Sequence, residues 1–404
     1  MPAPAPSSAP SFGAPDADPA GGGRVVFGAG CVERIGAWLD RVAPRRFLLV
    51  TDPGVIRAGA VERVLEGAGR RVAAVFDGVP QDSGLTVVEA AVAAALRAGA
   101  EGVISVGGGS VLDTGKGVAL ALGLGRAPAD LLGFRLPPGR PAFHAALPTT
   151  AGTGSEATDI VVLKDERTGL KAYIGDRRAI PALAILDPAL TCSLPAAITA
   201  ATAMDVLAHA VEAIASPAAD APVDDRARRA IRLVDGHLPR ALSSPGNLDA
   251  RGALLAAAHR SVRALATARV GVAHALGHPL TARHGVPHGL VNGILLPHVV
   301  RWNAAVPAAR CRYAALTPAL GCAPAGADAA AAAAALADRL AALHAAGGLP
   351  TTLAACGVPA DAAGACAPVA LADVVMRYNP RQPTGPAELV DLYRAAGVGG
   401  PARG

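Results

Sequence analysis

The stretch GVISVGGGSVLDTGKGVAL, residues 102–120, places three consecutive glycines between a strand-like apolar run and a helix-like run. Gly107, Gly108 and Gly109 would let the backbone approach a ligand closely, and the N-terminus of the following helix is suited to a pyrophosphate. Ser110 and Asp113 are spaced as a capping box at the start of that helix. The pattern therefore predicts a strand, a phosphate-binding turn and a helix. A plain tight turn remains the alternative, since the GxGxxG order is absent.

Strand-like and helix-like runs alternate on both sides of this stretch. Strands are predicted at 24–27, 47–51, 71–76 and 102–106, and helices at 32–42, 55–69 and 85–99. Such alternation predicts a parallel sheet covered by helices, a Rossmann-like α/β fold. Three further strand-like runs follow at 159–163, 171–174 and 183–187.

The pattern changes near Leu194, after which strand signals vanish and Ala/Leu/Arg-rich helical stretches continue. We therefore expect an α/β domain over 24–193 and an all-α domain over 194–404. Residues 1–23 are rich in Pro, Ala, Ser and Gly, which predicts a disordered tail.

Composition excludes several classes of protein. The 404 residues are 52% hydrophobic, which is typical of a globular chain, and only 3% aromatic. The net charge of +5 comes from scattered arginines without a basic run, which argues against nucleic-acid binding. We found no uninterrupted run of about 18 apolar residues and no signal peptide, so neither a membrane span nor export is predicted. The six cysteines form no CxxC pair, which favours reduced thiols in a cytoplasmic protein.

A second polar loop, LPTTAGTGSEAT at 147–158, carries five hydroxyl side chains beside two glycines. Asp52 comes at the end of the predicted strand FLLVT, where a carboxylate could bind a ribose 2′-hydroxyl and repel a 2′-phosphate. Together with the glycine turn, these segments define the predicted cofactor-binding residues. They are Asp52, Gly108, Gly109, Ser110, Asp113, Thr149, Thr150, Thr153 and Ser155.

Histidines crowd two helical segments of the second half. Asp205 and His209 are four residues apart in AMDVLAHAVEAIAS, so they share one helix face. VAHALGHPLTARHGVPH, residues 272–288, holds four of the ten histidines: His274, His278, His284 and His288. Pro279 is expected to disturb the first helix of this segment, and Pro287 precedes a new helix start.

Two helices and a loop can bring Asp205, His209, His274 and His288 together in a helical domain. Three imidazoles and one carboxylate suit Fe²⁺ or Zn²⁺ with a position left open for substrate, and ligand identity does not choose between the two ions. Hydrogen-bonded core histidines are the alternative interpretation. We regard His284 as a peripheral or surface residue and His298 as structural.

Seven motifs in one order resemble the iron-containing alcohol dehydrogenase family over residues 24–400. They are GGGSVLDTGK, LPTTAGTGSEAT, AILDP, MDVLAHAVEA, HALGHPL, VPHGLVNGILLPH and NPRQPT. The resemblance implies an NAD(P)-binding domain, a helical domain and an active site in the cleft between them. It implies the same four metal ligands, and a catalytic role for His278 in handling the proton between metal and nicotinamide. It also links Asp52 to a preference for NAD and Lys171 to cofactor contact.

The chain departs from the family pattern at several positions. Gln81 and Asp82 replace the common Asn-Pro, and Gly115 replaces a common Ala. Arg269 and Arg283, with Thr281, stand where small or aromatic residues are usual, so the two arginines are candidate substrate residues. A guanidinium can clamp a carboxylate, phosphate or phosphonate. Ordinary surface arginines in an Arg-rich chain are the alternative interpretation.

The predicted function is metal-dependent, NAD(H)-linked oxidation of a small alcohol or reduction of an aldehyde, with an anionic head group on the substrate, by a homodimer. Three alternatives stay open: a metal-independent enzyme like maleylacetate reductase, a cyclising lyase like dehydroquinate synthase, and a non-catalytic nucleotide-binding or assembly protein. The complete Asp/His set argues against the first, and TTAGTGSE fits the second poorly.

Overall fold

The computed structural model describes residues 23–398. The predicted disordered tail thus lies outside the described residues apart from Gly23, as do residues 399–404. The described part contains eight strands: β1 (Arg24–Phe27), β2 (Phe47–Val50), β3 (Val72–Phe76), β4 (Gly102–Gly107), β5 (Phe143–Pro148), β6 (Ile160–Asp165), β7 (Leu170–Gly175) and β8 (Leu183–Leu186).

Six of these strands form one parallel sheet in the order β1-β8-β5-β4-β2-β3. Every residue of β2, β4 and β8 is buried, because helices and loops cover both faces of the sheet. All six strands point the same way, so their carboxyl ends meet at one edge. Ligands of open α/β sheets bind at that edge.

The structure describes fourteen α-helices: α1 (Ile35–Leu39), α2 (Pro53–Arg57), α3 (Ala60–Ala68), α4 (Leu85–Ala98), α5 (Gly109–Leu124), α6 (Ala196–Ala215), α7 (Ala221–Ser243), α8 (Leu248–Ala268), α9 (Val272–His284), α10 (His288–Asn303), α11 (Pro307–Ala314), α12 (Ala329–Ala346), α13 (Ala362–Leu371) and α14 (Pro386–Ala395). All described elements from Ala196 onward are helical. The predicted fold class, a parallel α/β half followed by a helical half, is confirmed. The predicted division at residue 194 falls between β8 and α6.

Several element predictions need correction. The runs at 159–163 and 171–174 form β6 and β7, which pair antiparallel in a separate two-stranded sheet. β5, which the sequence indicated only as a strand-like approach to the loop at 147–158, is a full strand inside the main sheet. The helix predicted over 55–69 is divided into α2 and α3, because Gly59 between them has a left-handed φ of 76°.

Pro279 does not interrupt α9. The helix continues from Val272 to His284 with Pro279 inside it. Proline removes one amide donor from a helix interior, but the helix on either side remains in place. His274 and His278 consequently keep their spacing of four residues on one continuous helix. α10 begins at His288, as the preceding Pro287 suggested.

Two of the helices, α6 and α12, are long and apolar enough to cross a membrane by length and composition alone. In α6, 83% of the apolar window is buried inside the molecule, where the helix packs against α7, α8 and α10. α6 is therefore the central helix of the helical half. This helix carries Asp205 and His209.

Candidate metal and cofactor site

The glycine turn connects β4 to α5 at the carboxyl edge of the sheet. A Cβ atom on Gly109 would lie 2.7 Å from Cγ2 of Thr153, so only glycine lets the polar loop at 149–155 pack this close. A Cβ on Gly108 would lie 3.3 Å from Cγ2 of Thr150. The first amides of α5 have no acceptor within the helix, so the turn and the hydroxyl loop surround a potential phosphate site.

The predicted capping box of α5 is wrong. The helix N-cap is Gly108, and no side chain caps it. The hydroxyl of Ser110 instead accepts a hydrogen bond from the amide of Asp82, at 3.1 Å. Ser110 thus binds an amide 28 residues earlier in the chain and does not cap its own helix.

Asp113, the other predicted member of the capping box, belongs to a buried polar cluster. Its Oδ1 accepts a hydrogen bond from the Ser155 hydroxyl at 2.5 Å, and its Oδ2 accepts one from the Val162 amide at 3.0 Å. The Lys116 ammonium lies 3.4 Å from Asp113 and donates to the Thr158 hydroxyl at 2.7 Å. Burial lowers the pKa of Lys116, while the charge of Asp113 opposes that shift. Both carboxylate oxygens are therefore occupied in joining α5 to β6 and to the hydroxyl loop.

Asp52 lies one strand away from the glycine turn, at the end of β2. Its Oδ1 accepts hydrogen bonds from the amides of Gly54 and Val55, at 2.7 and 3.0 Å, and so caps α2. An acid at this edge is placed as in dinucleotide-binding sheets, where it meets a ribose hydroxyl. The cap uses Oδ1, and Oδ2 remains available to a ligand.

Two other predicted cofactor residues lie near the same edge. Lys171, on β7, forms an ion pair with Asp82, a residue with a left-handed φ of 59°. Thr149 is buried directly after β5, and its amide donates to the Gly107 carbonyl at 3.0 Å. Lys171 is therefore neutralised locally by Asp82.

The four predicted metal ligands come together around one carboxylate oxygen. Nε2 atoms of His209 and His274 each lie 3.8 Å from Oδ1 of Asp205, and Nε2 of His288 lies 3.7 Å from it. Candidate ligand atoms of Asp205, His209 and His274 all lie within 4.8 Å of one another. α6 supplies two of the four side chains, α9 supplies one and the first residue of α10 supplies the last.

These donors fit a divalent ion. Two ligands about 2.1 Å from a shared ion are separated by no more than about 4.2 Å, which accommodates the distances of 3.7–3.8 Å between Oδ1 of Asp205 and the three imidazole nitrogens. Nε2 of His274 is buried and has no hydrogen-bond partner, an arrangement that is costly unless the atom binds something. The ion would complete the coordination of this nitrogen.

At Asp205, His209 and His288 the electrostatics favour the protonation states that a metal requires, whereas the nearby carboxylates of Glu212 and Asp205 raise the pKa of His274 against the effect of burial. Burial acts to raise the pKa of Asp205, but the surrounding histidines outweigh it and hold the pKa at about 2. Burial lowers the pKa of His209 to about 4 and that of His288 well below its ordinary value. The carboxylate is thus ionised and these two imidazoles are neutral near pH 7, as metal ligands must be.

Two buried side chains that the sequence analysis did not single out support the ligands. Glu212 accepts hydrogen bonds from Nδ1 of His274 at 2.6 Å and from the amides of Gly271 and Ala273 at 3.0 and 2.6 Å. Asn292 donates to Oδ1 of Asp205 at 2.9 Å. Helical spacing could have indicated both: Glu212 is three residues after His209, and Asn292 is four after His288.

His278 lies one helical turn beyond His274 and packs against the ligands. Its ring is stacked on that of His288, with centroids 5.6 Å apart and planes 11° apart. Nδ1 lies 2.7 Å from Oδ2 of Asp373 and 3.3 Å from the hydroxyl of Tyr173 on β7. Burial acts to raise the pKa of Asp373, but its hydrogen bond with His278 contributes to a net lowering. No sequence motif pointed to Asp373 or Tyr173.

The two candidate substrate arginines occupy different places. Arg269 ends α8 with a φ of 63°, and its Nη1 lies 3.5 Å from Oδ1 of Asp159, just before β6. Arg283 is exposed and donates to the Ala365 carbonyl on α13 at 3.0 Å. It follows His274 by nine residues, which places it about 180° around α9 from that ligand. Of the two arginines, Arg269 thus contacts the segment that leads into the β6–β7 hairpin, and Arg283 contacts another helix of the helical half.

Family comparison agrees with this architecture. Residues 22–188 match the family described as iron-containing alcohol dehydrogenase, and residues 199–397 match the C-terminal part of the Fe-containing alcohol dehydrogenase family. The chain belongs to the iron-containing alcohol dehydrogenase family, and it is an oxidoreductase of the alcohol dehydrogenase class. Family members use NAD(H) and iron.

Individual relatives extend over most of the chain. The 4-hydroxybutyrate dehydrogenase of Cupriavidus necator is 34% identical over 368 residues, covering 87% of this chain and 93% of the relative. A crystal structure of 1,3-propanediol oxidoreductase has a TM-score of 0.88 at 32% identity, covering 92% and 97% of the two chains. The sulfoacetaldehyde reductase of Bifidobacterium kashiwanohense, solved with NAD⁺, has a TM-score of 0.83 at 28% identity, covering 93% of this chain and 96% of that one.

Proposed function

We propose that this protein interconverts a small alcohol and its aldehyde with NAD(H), in a reaction that requires a divalent ion, Fe²⁺ or Zn²⁺, held by Asp205, His209, His274 and His288. The proposal rests above all on the three imidazole nitrogens around Oδ1 of Asp205, one of them buried without a partner. The intact ligand set disfavours a metal-independent reductase.

The residues of the chain would divide the chemistry between them. A bound divalent ion supplies Lewis acidity that acidifies a hydroxyl or polarises a carbonyl, and NAD(H) supplies the hydride chemistry. In alcohol oxidation, the hydride leaves the substrate carbon and the hydroxyl proton must leave separately. His278, whose side chain is 13% exposed, is the residue proposed to accept that proton and pass it to solvent. The glycine turn and the hydroxyl loop would hold the pyrophosphate, and Asp52 the ribose.

We propose that the preferred substrate carries an anionic head group. Two relatives have names that specify such substrates, since hydroxybutyrate carries a carboxylate and sulfoacetaldehyde a sulfonate. Arg269 is the better placed of the two candidate arginines. It ends α8 two residues before Gly271, whose amide shares Glu212 with His274. Within the described residues, its guanidinium contacts the side chain of Asp159 alone, at 3.5 Å, so it retains donors for an anion.

The test compares succinic semialdehyde with butanal, which have the same chain length and differ in charge. In Arg269→Leu, we expect the ratio of kcat/KM values, anionic over neutral, to fall about ten- to hundred-fold, since a charge-assisted contact is lost. Arg283→Leu is the matched control and should leave the ratio unchanged. Because Arg269 has a left-handed φ, Arg269→Gly relieves strain while removing the charge, and it should lower the ratio equally. An unchanged ratio in both Arg269 variants would refute this assignment.

A homodimer and a cytoplasmic location complete the proposal. The six cysteines are all unpaired, as expected in a reducing compartment. Sedimentation equilibrium of the purified full chain gives the oligomeric state directly. A monomer at micromolar concentration would refute the dimer.

A further inference from the structure

Asp373 reaches the active site from the far end of the chain. It lies 95 residues from His278 in sequence, directly before a 3-10 turn at Val374–Tyr378, and its side chain is 11% exposed. Its Oδ1 accepts a hydrogen bond from the Val375 amide at 3.0 Å, which fixes the carboxylate. Its Oδ2 is then directed at the imidazole of His278, at 2.7 Å.

This contact determines which ring nitrogen of His278 carries the proton. An ionised carboxylate only accepts hydrogen bonds, so the hydrogen must be on Nδ1 of His278. The lone pair of the neutral ring is then on Nε2. Among the residues that the structure describes, none forms a hydrogen bond with Nε2 of His278. That nitrogen is therefore the one able to accept a proton from outside the protein.

The ring orientation is constrained on its other sides too. The imidazole is stacked on His288, lies edge-on to His274 at a centroid distance of 6.2 Å, and meets the Tyr173 hydroxyl. Stacking limits tilt but permits a flip of the ring about its Cβ–Cγ bond. Both hydrogen-bond partners of His278 lie at Nδ1, which distinguishes the two flipped orientations, and the carboxylate of Asp373 sets the tautomer because, unlike the Tyr173 hydroxyl, it can only accept.

We infer that Asp373 is a positioning residue for His278: by holding Nδ1–H, it presents an unprotonated Nε2 to the substrate proton during alcohol oxidation and a protonated Nε2 during aldehyde reduction. This inference rests on the proposed function of His278. It requires no direct contact between Asp373 and substrate. The proton accepted at Nε2 passes to water, and the carboxylate stays ionised throughout.

Two variants separate positioning from simple capping of the 3-10 turn. Ser and Asn both cap helix starts about as well as Asp. Asp373→Ser keeps the cap but is too short to reach the imidazole. Asp373→Asn places an amide donor beside Nδ1, which favours hydrogen on Nε2 instead. Asp328→Ser, at the exposed N-cap of α12, is the matched control outside the site.

We expect kcat to fall about ten- to hundred-fold in both Asp373 variants, with KM, NADH affinity and bound zinc unchanged. Asp328→Ser should match the wild-type protein in all four quantities. In a His278→Gln background, Asp373→Ser should cause little further loss. Wild-type kcat in both Asp373 variants would overturn the inference.

The second readout does not depend on turnover. ¹⁵N NMR of histidine-labelled, zinc-loaded protein reports the tautomer, and His278→Gln assigns the signal. We expect hydrogen on Nδ1 in the wild-type protein and on Nε2 in Asp373→Asn. An unchanged tautomer in Asp373→Asn would overturn the inference. If the wild-type protein oxidises no alcohol, the proposed function fails, but this spectrum still decides whether Asp373 sets the tautomer.

Discussion

Oε2 of Glu212 lies 2.6 Å from Nδ1 of His274, and the same carboxylate binds the first amides of the helix that carries this histidine. The contact puts the ring hydrogen on Nδ1 and leaves Nε2 facing Asp205. One buried acid therefore fixes both the position of α9 and the ligating nitrogen of His274. A metal-binding histidine commonly donates its other nitrogen to such an acid.

Glu212→Gln should weaken metal binding. Glutamine keeps the shape but removes the charge and one acceptor, so we expect the dissociation constant for Zn²⁺ to rise about ten- to hundred-fold. A competition titration with a chelating indicator measures it. Glu62→Gln, on the exposed face of α3, should leave the affinity unchanged. Wild-type affinity in Glu212→Gln would mean that the carboxylate serves only the start of α9.

Removing a ligand should abolish turnover without abolishing cofactor binding. In His274→Ala and Asp205→Ala, the metal site is incomplete, while the glycine turn and hydroxyl loop belong to the α/β half and are untouched. NADH binding, followed by fluorescence, should stay close to wild type in both variants. Full activity in either one would exclude the proposed metal mechanism.

Asp52 should set the preference for NAD(H). A carboxylate beside a 2′-phosphate is repulsive and loses the hydrogen bond to the hydroxyl. Asp52→Ser keeps an N-cap for α2 while removing the charge, and Asp52→Gly costs only a few tenths of a kcal/mol at a cap. The kcat/KM ratio for NADH over NADPH should fall in both. A wild-type preference for NADPH would show that Asp52 does not contact the ribose.

Asp113 should contribute to stability. Asp113→Ala leaves the buried Lys116 ammonium without its ionic partner, which should lower the free energy of unfolding by about 3–5 kcal/mol. Urea denaturation measures this loss. Asp113→Ala combined with Lys116→Met should recover part of it, because no unpaired charge remains. Unaltered stability with weakened NADH binding would instead place Asp113 in the cofactor site, as the sequence had suggested.

The residues that sequence could place are those tied by helical period. Asp205 and His209 lie on one helix face whatever the tertiary structure, because they are four residues apart. His288 follows a proline that marks the start of a helix. Ser110 and Asp113 show the opposite case, because tertiary partners compete with a local cap and win. The sequence pattern does not show which of the two sets of partners is preferred.

Contacts between segments that are distant in sequence could not be predicted for the same reason. Asp373 is hydrogen-bonded to a histidine 95 residues earlier, and nothing near it in sequence resembles a motif. β6 and β7 pair with each other outside the main sheet. Short apolar runs have the same pattern in a six-stranded parallel sheet and in a two-stranded hairpin, so the sequence does not distinguish the two. Arg283 was grouped with Arg269 by sequence proximity to the ligands, although helix geometry directs it away from His274.

Reduction of succinic semialdehyde, measured by loss of NADH absorbance in metal-stripped protein titrated with Fe²⁺ or Zn²⁺, tests the central claim most directly. We predict no turnover without metal and a turnover rate that rises linearly with added ion until one ion is bound per chain. In Asp205→Ala, added metal should not raise the turnover rate. Full turnover by metal-stripped protein, or a gain unaffected by Asp205→Ala, would contradict the account.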